Sequence, residues 1–120
     1  MQAARSQAER APERPRGRPE RVCPEFHHAV ELIGKRWSGA ILWTLADGPR
    51  YFAEISEAVP GISDRLLSRR LRELEEELMV RRSVHGGTPP RVSYALTEKG
   101  RALRPAIRQL RAWAQEWNAA

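Results

Sequence analysis

Residues 60–77 read Pro60-Gly61-Ile62-Ser63-Asp64-Arg65-Leu66-Leu67-Ser68-Arg69-Arg70-Leu71-Arg72-Glu73-Leu74-Glu75-Glu76-Glu77. Pro-Gly closes whatever precedes it, because proline lacks the amide that a helix needs and glycine turns the chain freely. Ser63 then offers a side-chain oxygen to cap a new helix, and Asp64 places a negative charge at its positive end. Leu67, Leu71, Leu74 and Leu78 recur at spacings of three and four, so the segment is predicted as a helix from Ser63 to about Glu77 with these leucines inward. A rotation of about 100° per residue sets Arg65, Arg69, Arg72 and Glu76 on the opposite face. Ser68 falls on its flank, and Glu73, Glu75, Glu76 and Glu77 crowd the C-terminal half.

Upstream, Phe52, Ile55 and Val59 face one way in a short segment from Tyr51 to Val59. Together with the Pro60-Gly61 turn and the next helix, it has the proportions of a helix-turn-helix. Downstream the apolar period falls from near 3.6 to near 2. Met79–Val84 and Arg91–Leu96 flank His85-Gly86-Gly87-Thr88-Pro89-Pro90, which reads as a two-stranded hairpin, a wing beside the helices. Before the motif, Pro24 opens a helix carrying Phe26, Ala29, Val30 and Ile33 and stopping at Gly34. Trp37, Ala40, Ile41, Thr44 and Leu45 form a second stripe that ends at Asp47-Gly48-Pro49. After the wing, Thr97 caps a long final helix with Leu103, Ala106, Ile107, Leu110, Trp113, Ala114 and Trp117 along one side. Pro105 kinks that helix near its start unless the helix begins later. The fold class is mainly α with a small β-hairpin wing: a winged helix-turn-helix.

Composition bounds the function. The chain has 120 residues, enough for one modest domain and too few for a two-domain enzyme. With 21 Lys+Arg against 15 Asp+Glu, a formal +6, a polyanionic partner is favoured. A single Cys excludes an internal disulfide framework and suits a reducing compartment. No apolar run of about 18 residues exists to span a membrane. The polar start lacks the apolar stretch of a secretory signal, so the expected location is the cytoplasm. Residues 1–22 hold six Arg and three Glu, with Pro12, Pro15, Pro19 and Gly17, and almost nothing apolar. They are expected to form a disordered basic Arg/Pro-rich arm ahead of a folded domain over 23–120, touching DNA through charge alone or serving only as a solubilising tail.

A helix entering a major groove by its N-terminal half needs donors there and tolerates acids where it leaves the phosphates, and residues 63–77 are divided in that way. Taken alone, such a helix is an ordinary amphipathic one with a solvated charged face. Its turn, its preceding helix and a hairpin with Arg81, Arg82 and Arg91 make double-stranded DNA the expected partner. Arg91 reaches phosphate or minor groove, or else merely covers the sheet with its apolar stem. No nucleophile elbow, phosphate loop or His-Glu-x-x-His is present, so no enzyme is expected. Cys23, His27 and Glu31 stack at i, i+4 and i+8, but structural zinc sites draw four ligands from several elements, so neither metal nor cofactor is assigned. Trp37, Trp43, Phe26, Phe52 and Tyr51 offer linings for a small-molecule effector pocket, although aromatic residues at helical spacing commonly belong to a core.

Cys23-Pro24, Ile33-Gly34-Lys35-Arg36-Trp37, Pro60-Gly61-Ile62-Ser63, Leu71-Arg72-Glu73-Leu74-Glu75, Pro89-Pro90-Arg91-Val92-Ser93-Tyr94 and Leu96-Thr97 occur in the order seen in the HxlR-type winged helix-turn-helix transcriptional regulators. The chain resembles that family over about residues 23 to 117. The resemblance implies a homodimer joined through N- and C-terminal dimerisation helices, with Phe26, Val30, Leu110, Trp113 and Trp117 as candidates for the seam. It further implies binding to an inverted repeat in promoter DNA, as a repressor or an activator. The candidate DNA contacts are Ser63, Arg65, Ser68, Arg69, Arg72 and Arg91. One departure stands out: the family usually ends its recognition helix with Gly, and Leu78 occupies that place. A left-handed residue without Gly costs about 1 kcal/mol, so the helix is expected to run on or fray at Glu77.

Independently of the resemblance, Trp113 and Trp117 on a small domain present more apolar area than a monomer normally tolerates, unless both fold back on the first helix. Cys23 sits at the mouth of a helix, where amide dipoles favour a thiolate and Arg21 and Lys35 are candidate helpers. The resemblance adds that some relatives sense oxidants or electrophiles with the Cys at this position. The expected function is therefore a dimeric, sequence-specific regulator, a repressor released by a thiol-reactive or small-molecule signal. The alternative is a DNA-coating protein without sequence preference.

Overall fold

The computed structural model describes residues 11–118. In chain order the elements are α1 (Pro24–Gly34), α2 (Ser38–Thr44), β1 (Arg50–Tyr51), α3 (Phe52–Ala58), α4 (Asp64–Glu76), β2 (Val80–His85), β3 (Arg91–Leu96), α5 (Glu98–Ala102) and α6 (Arg104–Trp117). Residues 11–22 are exposed and carry no helix or strand. The rest of the expected arm, with Arg5 and Arg10, lies outside the described residues.

The core lies where α2, α3 and α4 meet the sheet. Ile41, Leu42 and Leu45 of α2, Ile55 and Val59 near α3, and Leu67, Leu71 and Leu74 of α4 are buried together with Met79, Tyr94, Leu96 and Ile107. The three α4 leucines are 0% exposed, each stabilising the fold by about 1.5–3 kcal/mol through burial. Their spacing fixes the rotation of α4 and hence which side chains face out.

Both ends of α4 follow from local chemistry. At its start the Leu66 N–H donates to Ser63 Oγ at 3.1 Å, and Ser56 Oγ donates to Asp64 Oδ1 at 3.1 Å, tying α3 to the first turn. The turn between the two helices uses Gly61 at φ +92, with Trp37 packed over it. At the far end Leu78 adopts the left-handed conformation, φ 61. Its N–H donates to the Glu75 carbonyl and the Met79 N–H to the Leu74 carbonyl, both at 2.9 Å. This pair of bonds is a Schellman closure, with the buried Leu74 and Met79 at its two ends. This corrects the expectation that the helix runs on or frays: it stops at Glu76, and a leucine takes the left-handed place.

Three further expectations are corrected. The sheet has three strands, not two: β1 adds to β3 in the order β1-β3-β2, with Arg50 opposite Tyr94 and Tyr51 opposite Ser93. Two residues are too short for an alternating pattern to be visible in sequence. The long final helix is two helices. Thr97 Oγ1 accepts from the Gly100 N–H at 3.1 Å to cap α5, the ladder is interrupted at Leu103, and α6 starts again with Pro105 in its first two positions. There the missing proline N–H has no intrahelical partner to lose, so Pro105 begins a helix and kinks none. Trp37, placed by periodicity in the second helix, precedes it in a left-handed conformation at φ 79.

Candidate nucleic-acid interface

The outward face of α4 is the core of the site. Arg65, Arg69 and Arg72 are all exposed, on the side of the helix away from the buried leucines, and make no side-chain hydrogen bond or ion pair among the described residues. Arg70 differs. It is folded against the protein, donating from Nε to the Arg36 carbonyl at 2.9 Å and from a terminal nitrogen to Glu73 Oε1 at 3.0 Å. One helix therefore separates a structural arginine from three that are free to meet phosphate or base edges. Ser63, exposed at the N-terminus, accepts its capping bond and retains its hydroxyl hydrogen for a phosphate.

The wing stands beside this face. A cleft of about 450 Å³ between α4 and the sheet is lined by Ser68, Tyr51, Phe52, Arg82, Arg91 and Tyr94 among others. Ser68 and Arg91 thus line one cleft. The Arg91 guanidinium carbon lies 3.5 Å from the centre of the Tyr51 ring, a contact that the sequence did not indicate. Arg82 opposes Tyr94 across the strands and enters the same cleft. Periodicity marks Arg82 as a wing residue, but only the register reveals which arginine turns toward α4.

The acidic end of α4 is engaged with other elements. Lys35 Nζ meets Glu73 Oε2 at 2.7 Å, and this hydrogen bond, seconded by Arg70, holds the Glu73 carboxyl below its usual range against the opposing effect of burial. His28 Nε2 lies 2.9 Å from Glu77 Oε2 and lowers that carboxyl likewise. Lys99 Nζ donates to the Glu77 carbonyl at 2.6 Å. These acids fasten α4 to α1 and α5 at the end remote from Ser63.

Cys23 is a free, exposed thiol at the N-cap of α1. Lys35 is not its helper: it lies past the other end of an 11-residue helix, about 18 Å away at 1.5 Å per residue, and pairs with Glu73. Glu31 of the imagined ligand stack is taken by His27, at 2.8 Å. Among the described residues no three of His, Cys, Asp and Glu are grouped to hold a metal ion.

Phe26 and Val30 on α1, and Leu110, Trp113 and Trp117 on α6, are 60, 51, 53, 56 and 41% exposed. The tryptophans do not bury themselves by folding back. α6 is anchored on α2 instead, with Arg111 stacked over Trp43 at 4.5 Å and Arg108 3.7 Å from Asp47. The aromatic residues offered for an effector pocket are scattered. Tyr51 and Phe52 line the wing cleft, Trp43 lines a separate polar cleft with Asp47 and Glu57, Trp37 packs on Gly61, and Phe26 faces solvent. Among the described residues no helix is long and apolar enough to cross a membrane.

Residues 32–120 match the family model described as HxlR-like helix-turn-helix. The HTH-type transcriptional regulator YodB of Bacillus subtilis is 46% identical over 96 residues, spanning 80% of this chain and 86% of YodB. Among solved structures, quinone-bound YodB from B. subtilis superposes with a TM-score of 0.69 at 44% identity, covering 80% of this chain and 100% of that one. The redox regulator HypR in its reduced form superposes with a TM-score of 0.74 at 35% identity, covering 79% and 94%.

Proposed function

This chain belongs to the HxlR-like helix-turn-helix family of transcriptional regulators, and from that premise we propose that it binds an inverted repeat in duplex DNA as a homodimer and acts as a repressor released by chemical modification of Cys23. The observation that carries the DNA reading is the division of labour on α4. Arg65, Arg69 and Arg72 stand exposed on one face while Arg70 is committed to the protein's interior bonds. Ser63, Ser68 and Arg91 extend that surface toward the N-terminus of the helix and the wing. α4 reads base edges in the major groove, and the wing follows the adjacent backbone or minor groove.

The exposed apolar stripes of α1 and α6 supply the dimer seam, burying Phe26, Val30, Leu110, Trp113 and Trp117 against a second copy. A two-fold axis then presents two α4 helices to half-sites about 34 Å apart. Cys23 heads the same α1 that carries Phe26 and Val30, so a change at its sulfur bears directly on the seam. The relatives support the reading: HypR is a redox regulator and YodB binds a quinone. With one Cys per chain the products are a Cys23–Cys23 disulfide between subunits, a mixed disulfide with a small thiol, or a thioether formed by addition to an electrophile.

Fluorescence anisotropy on duplex from the region upstream of the chain's own gene, with a scrambled duplex alongside, tests this. Reduced protein is expected to prefer the first duplex by at least about a thousandfold and to lose it on thiol oxidation, with recovery on reduction. Equal affinity for both duplexes would establish a coating protein instead. Selective binding indifferent to oxidant would leave the regulator and remove Cys23 from its control.

A further inference from the structure

We propose that Tyr51 is the positioning residue of the wing: its ring holds the Arg91 guanidinium at the cleft beside α4, so that Arg91 meets duplex DNA already oriented. The inference rests on the assignment of Arg91 to the DNA surface made above.

The geometry comes from three strands. Tyr51 is in β1, Arg91 in β3 and His85 in β2, and the pairings Tyr51 with Ser93 and His85 with Arg91 set all three side chains on one face of the sheet. Arg91 lies at stacking distance from the Tyr51 ring, 3.5 Å. His85 meets the same ring edge-on, with centroids 5.7 Å apart at 73°, and is itself fixed by a 2.7 Å bond to Ser93 Oγ. The Tyr51 backbone is pinned as well, its N–H donating to Glu54 Oε1 at 2.8 Å. The ring is therefore buttressed by contacts within the protein that need no ligand.

The kind of contact matters more than its existence. Arg70 and Lys35 spend their donors on Glu73, and Arg108 faces Asp47. Arg91 makes no ion pair among the described residues. An aromatic ring engages the flat face of a guanidinium and leaves its N–H donors, which lie in the plane, directed outward. Tyr51 thus restrains the side chain without consuming the groups that a phosphate or base edge would bind. Rotamer freedom is lost on folding and not on DNA binding, the general advantage of preorganisation. Ser68 lines the same cleft, as does Arg82, which the register with Tyr94 sets on the other face of the strands.

The test uses the full chain as wild type, Tyr51→Phe, Tyr51→Leu, Arg91→Ala and the Tyr51→Leu/Arg91→Ala double variant, each titrated on the duplex preferred by the wild type. Arg91→Ala is expected to weaken binding about tenfold and Tyr51→Leu about three- to fivefold, as an exposed cation–π contact implies. Tyr51→Phe, which keeps the ring, is expected to bind as wild type. The double variant is expected to be no weaker than Arg91→Ala alone. In NMR spectra the Arg91 side-chain protons are expected to be shifted upfield by the ring in wild type and Tyr51→Phe and to lose the shift in Tyr51→Leu. An Arg91-dependent complex in which Tyr51→Leu binds as wild type, or in which the two losses add, overturns the inference and leaves Arg91 at the interface. Full binding by Arg91→Ala overturns the assignment of Arg91 and this inference with it. Should Tyr51→Leu not fold, unshifted Arg91 protons in the wild type overturn the inference directly.

Discussion

Lys35 Nζ lies 2.7 Å from Glu73 Oε2, joining the residue that follows α1 to the C-terminal half of α4. Arg70 holds the other carboxylate oxygen and reaches the Arg36 carbonyl, so one acid clasps the corner between α1 and α2 to the reading helix. The Lys35 hydrogen bond is the main cause of the lowered Glu73 carboxyl, with Arg70 adding to it. A carboxylate lowered in the folded state contributes stability that is present above its ordinary value of about 4.3 and is lost as pH falls through the lower folded value. Lys35→Met is expected to move the Glu73 titration up toward the ordinary range, as followed by carboxyl carbon NMR. The stability gap between variant and wild type should be present at neutral pH and shrink as Glu73 protonates; a gap that does not change with pH would contradict the clasp.

Leu78 occupies a left-handed position with 68% of its surface exposed, so it bears a backbone cost of about 1–2 kcal/mol and recovers little by burial. Leu78→Gly removes that cost and adds some freedom to the unfolded chain, worth about 0.5–1 kcal/mol in the other direction. The net expectation is a gain of about 0.5–1 kcal/mol, a rise in Tm of several degrees by calorimetry. A fall in Tm would show that the leucine side chain stabilises the native state in some other way.

The arginines of α4 are expected to separate by phenotype. Arg65→Ala and Arg69→Ala should each weaken specific binding by about 1–3 kcal/mol while melting as wild type. Arg70→Met should melt lower, having lost its bonds to Arg36 and Glu73, and any effect on DNA should follow from that instability. Unchanged affinity in both Arg65→Ala and Arg69→Ala would remove them from the reading surface.

Trp113 and Trp117 test the seam without DNA. A charge placed in an apolar interface is left desolvated and unpaired, so Trp113→Asp or Trp117→Asp is expected to sediment as a monomer where the wild type sediments as a dimer. A dimer that persists in both variants would place the seam elsewhere.

The helix α4 was legible because its signals agree: a capping serine, an acid in the first turn and leucines at spacings that bury one side. Arg65, Arg69 and Arg72 followed from those leucines by rotation alone. What escaped depends on contacts remote in sequence. Tyr51 shows nothing locally that marks it as a strand residue, since its role appears only once β3 lies alongside. Lys35 sits near Cys23 in sequence, yet helical rise carries it to the opposite end of α1 and into reach of Glu73. Pro105 left two outcomes open because a proline near a helix start reads alike whether it kinks one helix or begins another; the capped turn at Thr97 and the interruption at Leu103 decided between them. Leu78 was visible as a departure from the family pattern, but whether a leucine would bear the left-handed geometry depended on Leu74 and Met79 being buried together.

The two residues of β1 change how the hairpin must come apart. A lone two-stranded ribbon in water is marginal and opens on its own, and its amides would exchange quickly whatever the rest of the domain did. Here β3 is central, bonded on one side to β2 and on the other to the segment that leads directly into α3. Opening the ribbon at its root therefore tugs on the first helix of the helix-turn-helix, and the two belong to one cooperative unit. The slowest amides of β3 are expected to exchange with the buried helices next to them, which would make the wing's persistence a property of the whole domain.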